Sequence, residues 1–224
     1  MTVRAHFDRK LSELRDHILL MGSRVEEELK LALEALNTLN PDKAREVFAA
    51  DRIVNKSRFD IEEKCFSLIV TQQPAARDLR TIMTAMNIII DLERMGDQAK
   101  GIAKVVPHLL KNPVPDRPLE LKQMGEEVSR MLNQVMLAYA HGNIDLARVI
   151  ARQDDAVDTL YAQVFGKIMN QMAQVSNPDK IEATYELLRV ARELERFGDL
   201  ATNVAERIIY LVTGSLEEIN TDRD

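Results

Sequence analysis

The feature that most constrains the fold of this chain is an internal duplication. The segment LERMGD at residues 92–97 returns as LERFGD at residues 194–199. Further upstream the halves match at a spacing of 103 residues, so that Met21 and Gly22 correspond to Met124 and Gly125. A one-residue difference in the length of one turn explains why the spacing of the later segments is 102 residues. Self-similarity of this kind predicts that one structural unit is built twice.

Each unit is predicted to consist of helices. Apolar residues recur three and four positions apart, as in the series Leu14, Ile18, Met21 and Val25, and no segment alternates with a period of two. Only 8 Gly and 7 Pro occur in 224 residues, so turns are scarce and the elements must be long. The predicted helices span about 4–38, 42–72, 76–111, 117–141, 144–174 and 179–213.

The helix boundaries divide the chain into two halves. The tetrapeptide NPDK occurs at residues 40–43 and 177–180, with Asn in the N-cap position and Pro in the first turn. The Pro-rich segment NPVPDRP at residues 112–118 lies near the midpoint and predicts a boundary between a first repeat, 1–112, and a second repeat, 113–224. Short connections favour antiparallel neighbours. The predicted fold is therefore all-α: two tandem antiparallel three-helix bundles related by a pseudo-twofold axis.

Composition excludes several classes of function. A net charge of −6 and a pI of about 5.4 argue against nucleic-acid binding, which usually needs a basic surface. The longest apolar stretch, Thr81 to Ile90, is far shorter than a membrane span, so no membrane insertion is expected. The single cysteine, Cys65, and an N-terminus without a signal-like apolar run fit a reducing compartment. We therefore expect a cytoplasmic protein.

Candidate functional residues come from acidic side chains that continue apolar helical stripes. At 100° per residue, Glu93 and Asp97 fall in line with Ile82 and Met86, and Glu195 and Asp199 occupy the equivalent place in the second repeat. The preceding helix of each repeat carries a second pair at the same i, i+4 spacing. This pair is Asp51 and Asn55 in the first repeat and Asp154 and Asp158 in the second. The pattern predicts one oxygen-rich site per repeat, facing other helices.

Such a site favours a bound cation. Like charges at i, i+4 repel, and uncompensated burial costs several kcal/mol per ion. Oxygen ligands suit hard metals such as Mg, Mn or iron. Two other interpretations remain open: the acids lie on a solvated face, or Arg94 and Arg196 within the motifs pair with them. A purely structural bundle without any ligand also fits the pattern.

Other charged residues give weaker indications. Asp78 and Arg80 lie at the start of the third helix, where an acid complements the helix dipole. A partner-binding role for Asp78, Arg80, Arg94 or Arg196 is the less favoured hypothesis. The sequence contains no GxxxxGK[ST], no HExxH and no Glu-x-x-His, so nothing in it indicates catalysis. We expect a protein that is not an enzyme.

Taken together, these segments resemble the PhoU family, regulators of phosphate-specific transport in bacteria. The resemblance rests on the repeat, on QQPAARDLR at residues 72–80, on LERMGD and LERFGD, and on ATNVAERIIYLVTG at residues 201–214. It implies two three-helix bundles, each with an E(D)xxxD motif that can hold metal, including multinuclear iron clusters in some members. The implied ligands are Glu93, Asp97, Glu195, Asp199, Asp154, Asp158 and Asp51, with Asn55 departing from the acid at its position. The implied cofactor is iron or another divalent cation such as Mn, Mg or Zn.

The resemblance also implies a role. Proteins of this family are similar to adaptors that couple the ATPase subunit of the phosphate ABC transporter to a sensor histidine kinase, and they repress the phosphate-starvation response when phosphate is plentiful. We accordingly expect a negative regulator, and a homodimer. The alternative is a carboxylate-bridged metalloenzyme, or a metal-binding helical bundle of unrelated function.

Overall fold

The computed structural model describes residues 3–216, and within that range every regular element is a helix. The first repeat contains α1 (Val3–Thr38), α2 (Pro41–Gln72) and α3 (Arg77–Lys111), and the second contains α4 (Leu119–His141), α5 (Ile144–Ala173) and α6 (Pro178–Thr213). The predicted all-α class is confirmed, and each predicted helix end lies within two residues of the observed one. Residues 1–2 and 217–224, at the outer ends of the predicted repeats, lie outside the described residues.

The repeated NPDK segments cap two helices as their composition predicts. The side chain of Asn40 accepts hydrogen bonds from the backbone N–H groups of Asp42 and Lys43, and Asn177 does the same at the start of α6. Gly142 and Gly214 end α4 and α6 in the left-handed conformation, with φ of 61° and 79°. These local signals fix where the helices begin and end.

The helices pack as two bundles joined along one seam. Within each repeat all three helices contact one another, and the main contact between repeats is that of α3 with α6, supported by α1 against α4. The core is aliphatic and methionine-rich, with Met21, Met95, Met124 and Met131 wholly buried. The predicted boundary between residues 112 and 113 falls in the connection between α3 and α4.

The inner face of α3 differs from the predicted stripe. Met86, which lies on that stripe, is only partly buried, whereas Leu92, Met95 and Ala99 are fully buried. The reason is that α3 packs against α1, α2 and α6, so that its buried surface is wider than one line and centred elsewhere. Glu93 therefore lies at the edge of the buried surface and Asp97 is largely exposed, which corrects the expectation that both acids face fully inward.

Among the helices that the structure describes, none combines the length and apolar character required to cross a membrane.

Candidate functional site

The carboxylates of the first repeat meet at a lysine. Lys100, one turn beyond the ExxxD motif on α3, donates hydrogen bonds through Nζ to Asp51 Oδ1 at 2.8 Å and to Asp97 Oδ1 at 2.6 Å. Its side chain is only 20% exposed and that of Asp51 is 9% exposed, whereas that of Asp97 is 46% exposed. An ammonium group thus links α2 to α3 at the position where the sequence predicts a counter-ion.

The ionisation of Lys100 is supported by this environment. Burial alone would lower its pKa, but the hydrogen bonds and charges of Asp51 and Asp97 outweigh burial and hold the pKa above its usual value. The lysine is therefore a permanent cation at neutral pH.

The neighbouring predicted ligands of the first repeat are also engaged. The side-chain amide of Asn55 donates to Asp51 Oδ2 at 3.2 Å. Burial raises the pKa of Glu93, and the adjacent Asp97 raises it further, while the nearby guanidinium of Arg58 opposes both effects. Asp51 thus receives one hydrogen bond from an amide and one from an ammonium group.

The structure adds one acid that sequence reasoning missed. Glu28 on α1 is wholly buried, and neither of its carboxyl oxygens has a hydrogen-bond partner among the described residues. Burial raises the pKa of Glu28 to about 9, and the neighbouring Asp51 contributes to the increase. The side chain is therefore protonated at neutral pH. Its counterpart 103 residues later is Met131, an apolar core residue, and this mismatch is the sequence signal that could have identified it.

The mid-helix glycines of the two motifs allow acids to approach closely. A Cβ atom on Gly96 would lie 2.9 Å from Glu28 Oε2, and one on Gly198 would lie 2.8 Å from Asp154 Oδ1. Both distances are shorter than side-chain contacts normally allow. Close helix packing explains why glycine stands at these two positions, and in both repeats the group that approaches is a carboxyl from a neighbouring helix.

The second repeat holds its four predicted acids under different conditions. Asp154 is wholly buried between α5 and α6, and the side chain of Glu195 is 15% exposed. Arg192 is half-exposed, and its guanidinium lies 3.4 Å from Glu195. The charge of Glu195 is the main cause of the raised pKa of Arg192, and that of Asp199 contributes. The face of α6 that carries these acids continues to Thr202, which stands at the place of Lys100.

Thr202 is a buried polar residue in that position. It is 5% exposed, and its hydroxyl oxygen has no hydrogen-bond partner within residues 3–216. It follows Glu195 and Asp199 on one face of α6, because positions i, i+4 and i+7 of a helix lie in line.

The residues with the weaker partner-binding hypothesis occupy varied environments. Arg94 and Arg196 are exposed. Asp78 lies in the first turn of α3, as predicted, and pairs with Arg4 on α1. Arg80 lies 5.9 Å from the ring of Tyr210 and close to Gly214, near the end of α6. Asp78 and Arg80 therefore make contacts within the chain, whereas the two exposed arginines are accessible to other molecules.

The predicted ligands of the two repeats lie in different surroundings, and neither set is arranged as a ready metal site among the described residues. Within the described part of the chain, no three His, Cys, Asp or Glu side chains form a ready-made ligand group, so any ion would require side chains to change rotamer. In the first repeat the ammonium group of Lys100 already bridges Asp51 and Asp97. In the second repeat the predicted ligands are four acids, and they too form no such group among the described residues.

The fold and the site together define a class: duplicated helical bundles in which each repeat carries a carboxylate cluster between its second and third helices. Comparison with known proteins places the chain within that class. The PhoU domain family matches residues 18–106 and again residues 121–208. The chain therefore belongs to the PhoU family, as the resemblance of its motifs predicts.

Relatives of similar length carry one kind of name. The chain is 37% identical over 215 residues to a phosphate-specific transport system accessory protein PhoU homolog of Clostridium acetobutylicum, covering 96% of this chain and 97% of that protein. It is 32% identical to the phosphate-specific transport system accessory protein PhoU of Escherichia coli, covering 95% of this chain and 87% of that protein. These relatives are named as accessory proteins rather than as enzymes.

Solved structures of the family share the architecture. The crystal structure of PhoU from Pseudomonas aeruginosa superposes with a TM-score of 0.88 at 33% identity, covering 93% of this chain and all of that one (100%). The phosphate transport system regulatory protein PhoU from Streptococcus pneumoniae gives a TM-score of 0.87 at 32% identity, covering 95% of this chain and 99% of that one.

Proposed function

We propose that this protein is a cytoplasmic accessory protein of phosphate uptake that acts as a negative regulator of the phosphate-starvation response. It acts as an adaptor between the ATPase subunit of a phosphate ABC transporter and a sensor histidine kinase. The observation that supports this proposal most strongly is that the PhoU domain matches both repeats of this chain. Relatives of the chain are named for the phosphate-specific transport system. No catalytic role is assigned to any residue.

An adaptor needs surfaces for other proteins, and α2 offers one. Phe59, Phe66 and Val70 are 60%, 54% and 74% exposed. They lie at positions i, i+7 and i+11 of one helix and so share a face. Exposed aromatic and aliphatic side chains in one line are typical of protein-binding surfaces. This surface supports a role in binding partners.

The metal part of the proposal concerns the carboxylates between the second and third helices of the repeats. A divalent cation there would be a structural or regulatory support that offsets the repulsion between acids. The family resemblance and the oxygen-rich donor set support this proposal. Iron, Mn, Mg and Zn are the candidates, and iron and manganese suit carboxylate ligands well. The protein is proposed to act as a homodimer, which light scattering on a size-exclusion column would test.

The adaptor role is tested by co-purification and by a reporter. Tagged protein should retain the transporter ATPase and the histidine kinase from cells that produce both. Deletion of the gene should switch on a phosphate-starvation promoter in phosphate-rich medium. Failure to retain either protein, together with an unchanged promoter, would refute the proposal.

A pair of matched variants tests the surface on α2. Phe66→Ser should weaken co-purification. The matched control is Met169→Ser, which should not weaken it: Met169 is the counterpart of Phe66 and is also exposed, at 45%, but it lies on α5 and not on the proposed surface. Equal loss in both variants would show that the α2 surface has no special role.

A further inference from the structure

A groove of about 470 Å³ lies where the C-terminal half of α1 meets the N-terminal half of α4 and α6. Its apolar wall comes from both repeats and consists mainly of Leu33, Leu36, Leu121 and Leu187, so it is called the leucine groove below. Small-molecule sites have volumes of roughly 300–1,000 Å³ and combine apolar walls with a few polar groups that orient the ligand. The size and lining of the leucine groove match that description, and its charged residues indicate the kind of ligand.

Arg117, in the connection between α3 and α4, supplies a positive charge to the groove. Its Nη1 donates a hydrogen bond to the backbone oxygen of Leu36 at 2.9 Å. Burial lowers the pKa of Arg117, and no ion pair joins its guanidinium to an acid within residues 3–216. The other two charged residues of the groove, Lys122 and Glu126, lie 3.6 Å apart and offset each other. In the described part of the chain, the charge of Arg117 therefore has no counter-ion.

The internal duplication shows that both the charge and the space depart from the packing of the other repeat. At the spacing of 103 residues, Arg117 corresponds to Leu14, a core residue that is 2% exposed. Leu36 corresponds to Tyr139, which has the larger side chain and is buried to the same extent. A guanidinium therefore stands where the first repeat has an apolar side chain, and a shorter side chain stands where the second repeat has a ring.

The related groove at the other end of the contact between α1 and α4 is neutralised by the chain itself. Its volume is about 360 Å³, and its lining includes Leu14 and Tyr139. Arg4, one of its arginines, pairs with Asp8 at 2.9 Å and with Asp78 at 2.5 Å. The two ends of the seam thus differ in whether a neighbouring acid accompanies the arginine.

We propose that the leucine groove binds a small anionic amphiphile, with its carboxylate on the guanidinium of Arg117 and its alkyl chain along the leucine side chains. Leu36 engages one nitrogen of the guanidinium, and a carboxylate is the anion that matches the planar donors of arginine best. Burial of the alkyl chain supplies affinity, and the charge pair supplies selectivity for an acid. Because both repeats line the groove, the ligand holds them together at this end. The site lies apart from the acidic motifs and goes beyond the proposed function.

The experiment is isothermal titration calorimetry of the full chain with octanoate, and with octanol and octylammonium, which carry the same alkyl chain on a neutral or a positive head. The wild type should bind one octanoate per chain, and the other two compounds at least tenfold more weakly. Arg117→Met should weaken octanoate binding at least tenfold. The matched control Arg130→Met removes an exposed arginine of α4 that lies outside the groove, and it should leave the affinity unchanged.

A second variant tests the space instead of the charge. Leu36→Tyr introduces the ring that the second repeat has at the matching position 139, and it should fill the groove and abolish octanoate binding. Octanoate should also raise the Tm of the wild type and of Arg130→Met, but not that of the two groove variants. Circular dichroism checks that each variant folds, and Arg117→Met decides the question if Leu36→Tyr does not fold.

Several outcomes would overturn the inference. A purely structural role of Arg117 at the end of α1 would lower the Tm of Arg117→Met and leave its affinity for octanoate unchanged. Equal affinities for octanoate and octanol would show that the charge takes no part in binding. Absence of octanoate binding to the wild type, or association of several molecules per chain that neither groove variant reduces, would show that the groove is not a site. The adaptor role is judged separately by co-purification.

Discussion

The lysine that bridges Asp51 and Asp97 should stabilise the first repeat measurably. The perturbation is Lys100→Met, which keeps the length of the side chain and removes its charge. The pair with Asp51 is mostly buried, at 20% and 9% exposure, and a hydrogen bond to a charged group in such a setting contributes about 1.5–3 kcal/mol. The pair with Asp97 is more exposed and contributes roughly 0.2–1 kcal/mol.

These contributions are partly offset in the variant. The methionine gains apolar contact with its surroundings, and Asp51 keeps its hydrogen bond from Asn55. We therefore expect the free energy of unfolding to fall by about 2 kcal/mol, which corresponds to a decrease in Tm of roughly 4–8 °C in a protein of this size. Urea unfolding followed by circular dichroism, with chelator present, measures the change.

The control and the coupling distinguish this explanation from a general loss of packing. Lys122→Met removes an exposed i, i+4 pair with Glu126 and should change stability by less than about 0.5 kcal/mol. A double-mutant cycle of Lys100→Met with Asp51→Asn should give a coupling energy of about 1–2 kcal/mol. The reasoning is refuted if the coupling is within about 0.3 kcal/mol of zero, or if Lys100→Met costs no more than the control.

Three further predictions concern other buried groups. Glu28→Met should raise the free energy of unfolding by about 1–3 kcal/mol at pH 7.5, measured by urea unfolding. The reason is that it replaces an unpartnered buried carboxyl with methionine, the residue that the second repeat has at the matching position 131. A loss of stability would contradict this. Burial raises the pKa of Asp91 to about 6, so between about pH 4 and 6 the folded chain holds a proton that the unfolded chain has released, and the free energy of unfolding should fall as the pH rises through this range. Asp91→Asn should flatten this dependence of stability on pH and stabilise the protein by about 2 kcal/mol at pH 7.5. An unchanged pH dependence in the variant would argue against this role of Asp91. Gly198→Ala should lower the Tm by several degrees, because its Cβ would lie 2.8 Å from Asp154 Oδ1, whereas alanine at Gly166, where a Cβ meets nothing within 4 Å, should not lower it.

The helices could be predicted from the sequence because their signals are local. Asn40 and Asn177 cap helices through their own side chains, and Gly142 and Gly214 end them by their backbone freedom. The apolar repeat of three and four residues spans each helix. These interactions depend on residues a few positions apart, so no knowledge of tertiary packing is needed.

The positions of the acids were predicted less completely, because α3 makes contacts on three sides. A stripe calculated for one buried line put Glu93 and Asp97 at its centre, but the contact of α3 with α6 shifted the centre towards Leu92 and Met95. Which charged side chains are buried depends on the helices that pack around them, and these neighbours cannot be predicted from the sequence of one helix alone.

The partners of the acids were the part that motif spacing could not provide. A search confined to ExxxD treats the two repeats as equal, since Glu93 and Asp97 align with Glu195 and Asp199. The lysine that contacts two of these acids lies one turn outside the motif, and Glu28, whose pKa burial raises to about 9, lies on a different helix. A residue-by-residue comparison of the two repeats would have drawn attention to both side chains, because the second repeat has Thr202 in place of Lys100 and Met131 in place of Glu28.

That comparison also explains why a duplicated protein can hold two different sites on one backbone. The features that set helix packing are retained, since Gly96 and Gly198 each admit a carboxyl, and a Cβ added to either glycine would also meet the valine at the matching position, Val54 or Val157. The residues that balance charge are not retained, because a lysine or a threonine can occupy the same helical position without altering the packing of the backbone. Selection on packing therefore preserves the symmetry of the fold, while substitution at one charged position is enough to change which group contacts the acids of a repeat.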